Sequence, residues 1–572
     1  MIPELEAQLR RILTEIVTSG AARKIVVAGP VTGKTTLFRR MLEGRTGPRD
    51  GRLVLTFINN LRAELEEELA ELARVFTFHG YCRQILHRRA DLRPGLSEGF
   101  RYYPPLPSLI ASDWAIARGL PTPNFVGLMR RLEPGPVTAF SLERGDYYDA
   151  VSFDDSVFRV HRALEAHPEA IEAYEVVLIE EYQDFNGLEA AFLDLLATRS
   201  SIVIAGDDDQ ALYGLLRSSS PAFIRARYGE GAYERFALPF CMRCPEAIVR
   251  AVGDIVERAQ AHGLLGGRIA KPYEPYPPRK GRDSARYPRI RIVQTSVQSL
   301  RANYFGRYVA EQIDAIPGDE IAEGHEVKCP TVLVIGPGQY LRQVRSHLEA
   351  NGYQCAAPGT GEPIAVRRED GLAILGAQRD ANLGWRILIE TDNPLLQTEA
   401  IRASVTDRLP LVEAIPPGYR DRILAEAEAY EEPPATPALA AEVDPVRATI
   451  KFASFEASKG LSAQHVFVVG LHEGDLPRRP AAVNDLEVCK MIVAITRTRK
   501  QCHLLYTRRW GNSGRRPSPF LGWIRPDRRE FVSVTRQYLV ESPTRCGAAV
   551  LRLASLVPRP LSAPFAARGS NP

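Results

Sequence analysis

The chain has 572 residues, 45% hydrophobic and 25% charged, an ordinary globular balance that excludes an extended disordered polymer. At roughly 150 residues per domain, the length predicts about three or four domains. Net charge is +4, from 73 Lys and Arg against 69 Asp and Glu, too even to announce a polyanionic partner. The arginines do cluster, at Arg478-Arg479, Arg497 to Lys500, Arg508-Arg509, Arg515-Arg516 and Arg528-Arg529, which leaves a local basic surface open. No apolar run reaches the roughly 18 residues of a membrane span, so none is expected. The segment Met1 to Glu6 carries acids where a secretory leader has a basic and then apolar start, so the expected location is cytoplasmic. Eight cysteines are scattered, and the pair Cys241 and Cys244 has no further ligands at metal-site spacing, so they read as free thiols in a reducing compartment.

In chain order, Lys24 to Ala28 is a short apolar, β-rich run, followed by Gly29-Pro30-Val31-Thr32-Gly33-Lys34-Thr35-Thr36 and a helical stretch from Leu37 to Leu42. Strand, glycine-containing loop and helix in that order are the context of a phosphate-binding loop. Backbone N–H groups at the helix start cradle phosphate oxygens, Lys34 reaches the terminal phosphates and Thr35 offers a hydroxyl to Mg²⁺. The loop takes in Ala28, Gly29, Val31, Thr32, Gly33, Lys34, Thr35 and Thr36, with Ala28 in the first glycine position of GxxxxGK[ST]. Leu53 to Phe57, Val176 to Ile179 and Ser201 to Ala205 are further apolar runs, of the kind buried on both faces of a parallel sheet. Val176 to Ile179 runs into Glu180 and Glu181. Two acids at the C-terminal end of a parallel strand sit where ligands bind in such sheets, one to hold Mg²⁺ and one to activate water.

Residues 90 to 165 carry aromatic, Pro-rich and helical sequence without strands, as an insertion would. Lys271 to Arg289, rich in Pro, Lys, Arg and Tyr, reads as an exposed connector. A second strand set follows at 290–293, 331–335, 448–452, 465–469 and 503–506, with a helical and then Pro-rich interruption at 366 to 445. The chain therefore reads as α/β, with two parallel-sheet units, each interrupted by a mainly helical insertion. The division expected is 1–90 with 166–235, the insertion 91–165, 236–365 with 446–540, the reduced insertion 366–445, and a mobile tail 541–572.

Ordered segments of the chain resemble superfamily 1 DNA helicases of the UvrD/Rep/PcrA type. Ala28 to Thr35 resembles A-G-x-G-x-G-K-T, Leu55 to Asn60 resembles T-F-T-N-K, and Phe76 to Tyr81 resembles T-x-H-S-F. Glu180 to Asn186 resembles D-E-[YF]-Q-D-x-N, and Gly206 to Gly214 resembles G-D-x-D-Q-S-I-Y. Later come the segment around Arg243, Ser454 to Leu461 with Lys459-Gly460-Leu461, Val466 to Pro477, Val493 to Thr498 around Arg497, and Pro517 to Leu521.

The resemblance implies two RecA-like P-loop domains with ATP and Mg²⁺ between them. It makes Thr35 and Glu180 the metal ligands, Glu181 the general base and Gln210 the γ-phosphate sensor. Arg243 and Arg497 become arginine fingers from the second unit. Phe57, Asn59, Phe78, His79 and Tyr213 are the implied DNA contacts, and the substrate is single-stranded or 3′-tailed duplex DNA, travelled 3′→5′ in repair or recombination. Several positions depart from the pattern. Glu180 stands for Asp, Val31 for Gly, Met242 for the Tyr that stacks on adenine, Cys241 for Asn, Leu215 for an aromatic, Glu456 for His and Ser462 for Glu. Leu13 and Thr14 lie where an adenine-reading Gln is expected, with Gln8 nearest. These departures keep two other readings open: a helicase subunit of an anti-phage defence system working with a separate nuclease, and a single-stranded DNA-binding protein whose ATPase has decayed. A nuclease within this chain is not expected, since about 50 residues follow Leu521, too few for a typical domain.

Overall fold

The computed structural model describes residues 2–56, 59–299, 302–356, 365–392, 394–431 and 447–541. Its frame is two six-stranded, all-parallel sheets. The first contains β1 (Arg23–Ala28), β2 (Arg52–Thr56), β3 (Arg74–Thr77), β4 (Val176–Ile179), β5 (Ile202–Gly206) and β6 (Glu234–Leu238), in the order β3-β2-β4-β5-β1-β6. The second contains β7 (Ile290–Thr295), β8 (Val332–Ile335), β9 (Ile450–Ala453), β10 (Ala463–Val469), β11 (Thr498–Thr507) and β12 (Arg529–Val534), in the order β9-β8-β10-β11-β7-β12. Counted from its own first strand, each sheet runs third, second, fourth, fifth, first, sixth. Most strands legible in the sequence are central ones, buried on both faces and largely apolar, and the edge strand β9 is legible with them. The edge strands β3, β6 and β12 escape that reading because one face or one end is exposed, as in Glu234-Arg235 and in Glu530-Phe531.

Apolar clusters cover both faces of each sheet. Helix Phe153–Ala166 contributes Val157, Phe158, Val160 and Leu164 to the first sheet's core. Helix Glu246–Ala261 packs with its buried face in the core of the second. The two helical insertions do not stand apart. Trp114, Phe125 and Phe140 from one share a single core with Leu375, Trp385, Leu388 and Ile401 from the other. Inside that joint lies Asp113, which accepts hydrogen bonds from Arg386 at 2.7 Å and Arg144 at 2.8 Å. All three side chains are buried, so the charges are paired where water cannot screen them.

Lys271 to Arg289 is not an exposed connector. It holds the helix Pro277–Arg286, and the side chains of Lys271, Tyr276 and Lys280 are buried. The reason is pairing: Lys271 is surrounded by carboxylates, and Lys280 bonds Asp283 at 2.6 Å. The tail expected from 541 lies outside the described residues from 542 onward. No helix among the described residues is long and apolar enough to cross a membrane.

Candidate functional site

β1 delivers the chain to the loop 29–33, which turns into helix Lys34–Glu43. Gly33, the residue before the helix, has φ of 91°, a conformation natural to glycine, and no side chain caps the helix start. The first N–H groups of that helix are therefore free of side-chain acceptors and point at whatever anion enters. Val31 also has positive φ, 59°, which a β-branched residue tolerates poorly. Its carbonyl accepts a hydrogen bond from the Met242 N–H at 2.9 Å, which ties the loop to the segment carrying Arg243. Gly29 is fixed by contact: a Cβ there would lie 2.4 Å from the ring of Tyr273.

β4 leads into Glu180 and Glu181 beside this loop, and Glu181 has φ of 57°. Its carboxylate meets Lys34 at 3.1 Å and Lys459 at 3.2 Å, and accepts from Gln183 Nε2 at 2.6 Å. Burial alone would push the Glu181 carboxyl up, but Lys34 and Lys459 outweigh it and hold it below the usual range. Glu180 goes the other way, raised by burial and by Glu181 despite the pull of Lys34. Its Oε2 is buried without a hydrogen-bond partner, and Glu180 lines the same cavity as Thr35. A divalent cation fits that pair of hard oxygens.

The second sheet's unit supplies the cations opposite. Arg497 closes the helix Asp485–Thr496 and donates from Nη2 to Gln210 Oε1 at 3.0 Å. Burial, reinforced by Arg243, lowers its guanidinium to about 10. Arg243 is likewise lowered by burial and by Arg499. Lys34, Thr35, Glu180, Glu181, Gln210, Arg243, Lys459 and Arg497 all line one cavity of about 300 Å³ between the units. A second cavity of about 330 Å³ opens on the other side of Gly33, lined by Glu6, Arg10, Leu13, Arg40, Met242, Tyr276 and Arg279. Leu13 faces it, whereas Gln8 does not.

Lys459 escaped the sequence-based set of site residues, although the segment Lys459-Gly460-Leu461 was its signal. Besides Glu181, it pairs with Asp184 and donates to the Gln210 carbonyl at 2.9 Å.

The expected DNA contacts divide. Phe57 and the side chain of Asn59 lie outside the described residues. Phe78 is fully buried, edge-on to Phe185 and Phe192 in the core, so its ring has no face for a base. His79 is half-buried with its ring edge on Phe153. Burial, with Arg217, Arg130 and Arg83 nearby, lowers it to about 4, so it is not a cation at neutral pH. Tyr213 reaches across the seam, its hydroxyl donating to the Glu456 carbonyl at 3.1 Å. The sequence reading missed a groove of about 480 Å³ near the C-terminal ends of β7 and β8, lined by Asn303, Arg307, Gln339, Arg342, Gln343 and Trp510. The arginine clusters do not form one basic face: Arg497 and Lys500 are buried, and Arg528 bonds Asp254 at 2.6 Å.

Comparison with known proteins is consistent with this geometry. The family model for the UvrD/REP helicase N-terminal domain matches residues 142–228. ATP-dependent DNA helicase UvrD2 of Mycobacterium tuberculosis is 26% identical over an alignment covering 68% of this chain and 56% of the relative, and the Mycobacterium bovis protein matches equally. ATP-dependent DNA helicase PcrA of Staphylococcus aureus is 24% identical over 35% of this chain and 33% of its own length. The chain thus spans a little over half the length of its mycobacterial relatives.

Proposed function

We propose that this chain, UvrD/PcrA-like in its sequence and in its pair of parallel sheets, is an ATP-driven motor that travels 3′→5′ along single-stranded DNA and opens duplex ahead of it, in repair or recombination. One observation carries the reading: Lys34 of one unit and Arg243 and Arg497 of the other line a single cavity. The N–H groups after Gly33 and the Lys34 ammonium hold the β- and γ-phosphates. Thr35 and Glu180 hold Mg²⁺, which when bound neutralises phosphate charge. Glu181 accepts the proton of the attacking water. While Lys34 pairs with Glu181, that carboxylate is a weak base; an entering triphosphate draws Lys34 away and makes Glu181 more basic. Arg243 and Arg497 stabilise the charge on the transferring phosphoryl, and fingers of this kind contribute on the order of 10³ to 10⁵ in rate.

Gln210 and Tyr213 sit three residues apart, the first bonded to Arg497 and the second to the Glu456 carbonyl. Loss of the γ-phosphate therefore reaches the DNA side through one short turn. The strand runs over the groove that Arg342, Gln343 and Trp510 line, where amides and an aromatic ring grip bases without sequence preference. Phosphate release with and without single-stranded DNA, together with unwinding of 3′-tailed and 5′-tailed duplexes, tests the proposal. DNA-stimulated turnover with 3′-tail preference is expected. The strained Val31 and the Met242 substitution favour the decayed-ATPase reading, for which DNA binding without stimulated turnover is the signature.

A further inference from the structure

The turn after β5 carries three consecutive carboxylates, Asp207, Asp208 and Asp209, all buried. Three cations meet them. Lys271 lies 2.9 Å from Asp207, 2.7 Å from Asp208 and 2.9 Å from Asp209; Arg225 bonds Asp208 at 2.9 Å and Arg268 bonds Asp209 at 2.7 Å. Arg268 and Lys271 follow helix Glu246–Ala261, which is rooted in the second sheet's core, so the clasp reaches from one unit to the other.

Asp207 is wired directly to the nucleotide cavity. Its Oδ2 accepts from Gln210 Nε2 at 2.7 Å, and Gln210 Oε1 accepts from Arg497 at 3.0 Å. Its backbone N–H donates to Gln183 Oε1 at 2.9 Å, while Gln183 Nε2 donates to Glu181. A side-chain amide has a donating end and an accepting end, and its partners decide which faces where. An ionised Asp207 only accepts, so it fixes the Gln210 nitrogen toward itself and the oxygen toward Arg497. A protonated Asp207 can donate, and the amide can then turn over, presenting N–H to the guanidinium.

We propose that Lys271 is a positioning residue for hydrolysis: by keeping Asp207 ionised it sets the direction of the Gln210 amide, and so the place of Arg497. The proposal rests on the motor reading above and extends it to a residue outside the cavity. The groups facing Asp207 are Asp208 and Asp209 on its own turn, Lys271, Arg268 and Tyr273 from the segment after helix Glu246–Ala261, Arg225 from helix Ala222–Gly229, and Cys489 from helix Asp485–Thr496. Burial and the two neighbouring carboxylates raise Asp207, and Lys271 opposes them. Removing Lys271 therefore raises Asp207 further.

The test is DNA-stimulated ATP hydrolysis across pH for the full chain, Lys271→Met, Asp207→Asn and the double variant. Lys271→Met is expected to lower kcat on the order of ten- to a hundredfold, as the loss of an orienting partner does, with KM for ATP little changed. The acid limb of its kcat profile should move up by about one pH unit or more. Asp207→Asn, which leaves Lys271 paired to Asp208 and Asp209 and so guards against a folding failure, should lose a similar factor with its acid limb unmoved. The double variant should be no worse than the poorer single, because both act on one amide. Additive losses, an unmoved limb in Lys271→Met, or full activity in Asp207→Asn would each overturn the role given to Lys271 and leave the motor reading standing. Absence of turnover in the unaltered chain would overturn both.

Discussion

The two sheets share a strand order and differ at one helix start. In the first, β1 runs through Gly33 into helix Lys34–Glu43 with no side-chain cap. In the second, β7 occupies the same place, but helix Tyr304–Asp314 begins at Asn303, whose side chain accepts from the Gly306 N–H at 3.0 Å. A capped helix end has already given its N–H groups a partner; an uncapped one keeps them for an anion. On the proposed function, the same frame yields a phosphate cradle in one copy and a closed end in the other. The second copy contributes charge through Arg243, Lys459 and Arg497 instead.

Breaking the first half of this contrast has the largest effect. Lys34→Ala should eliminate hydrolysis while the far-ultraviolet circular dichroism stays near that of the parent; unchanged phosphate release would refute the cradle. Lys459→Met attacks the second half. It leaves Glu181 and Asp184 without their shared cation, and breaking a buried pair costs about 3–5 kcal/mol. Urea denaturation should show a loss of that order, and a loss below about 1 kcal/mol would mean the pair is not buried in solution. Asn303→Ala uncaps the second helix, and a cost of about 1–2 kcal/mol is expected. Equilibrium nucleotide titration should still find one site; a second would show that the cap alone had closed it.

The smallest effect is the share of the pH dependence that His503 contributes in the second sheet. His503 is buried, stacked on Phe467 at 4.3 Å, with Nδ1 3.0 Å from the Tyr308 hydroxyl. Burial first, then Arg291 and His465, holds its imidazole well below the ordinary value. The unfolded chain therefore takes the proton first, and stability falls as pH drops below about 6.5, by up to about 1.4 kcal/mol per unit. Denaturation at pH 7.5 and 5.5 should show this decline, and His503→Gln should reduce it; an equal decline in both proteins would assign it elsewhere.

The sequence revealed what burial makes repetitive. Central strands such as Val176–Ile179 are apolar at every position, and the loop before Lys34 announces itself by its neighbours on both sides. Edge strands alternate or carry charge, so Glu234–Leu238 does not read as a strand, and the boundary expected at 235/236 cuts through it. Phe78 suits a base or a core equally well by type, and only its contacts with Phe185 and Phe192 decide. Lys271 looked solvent-bound because its three carboxylates lie more than sixty residues earlier in the chain. The union of the two helical insertions depends on Asp113 meeting Arg386, a pairing that no local pattern foretells.

The claim that matters most is that one nucleotide is served by both copies. Single-turnover hydrolysis in the presence of single-stranded DNA, with ATP affinity measured alongside, tests it in Arg497→Ala. Affinity is expected to hold within about threefold while the chemical step slows on the order of 10³-fold. A chemical step as fast as in the unaltered chain would show that the second copy takes no part.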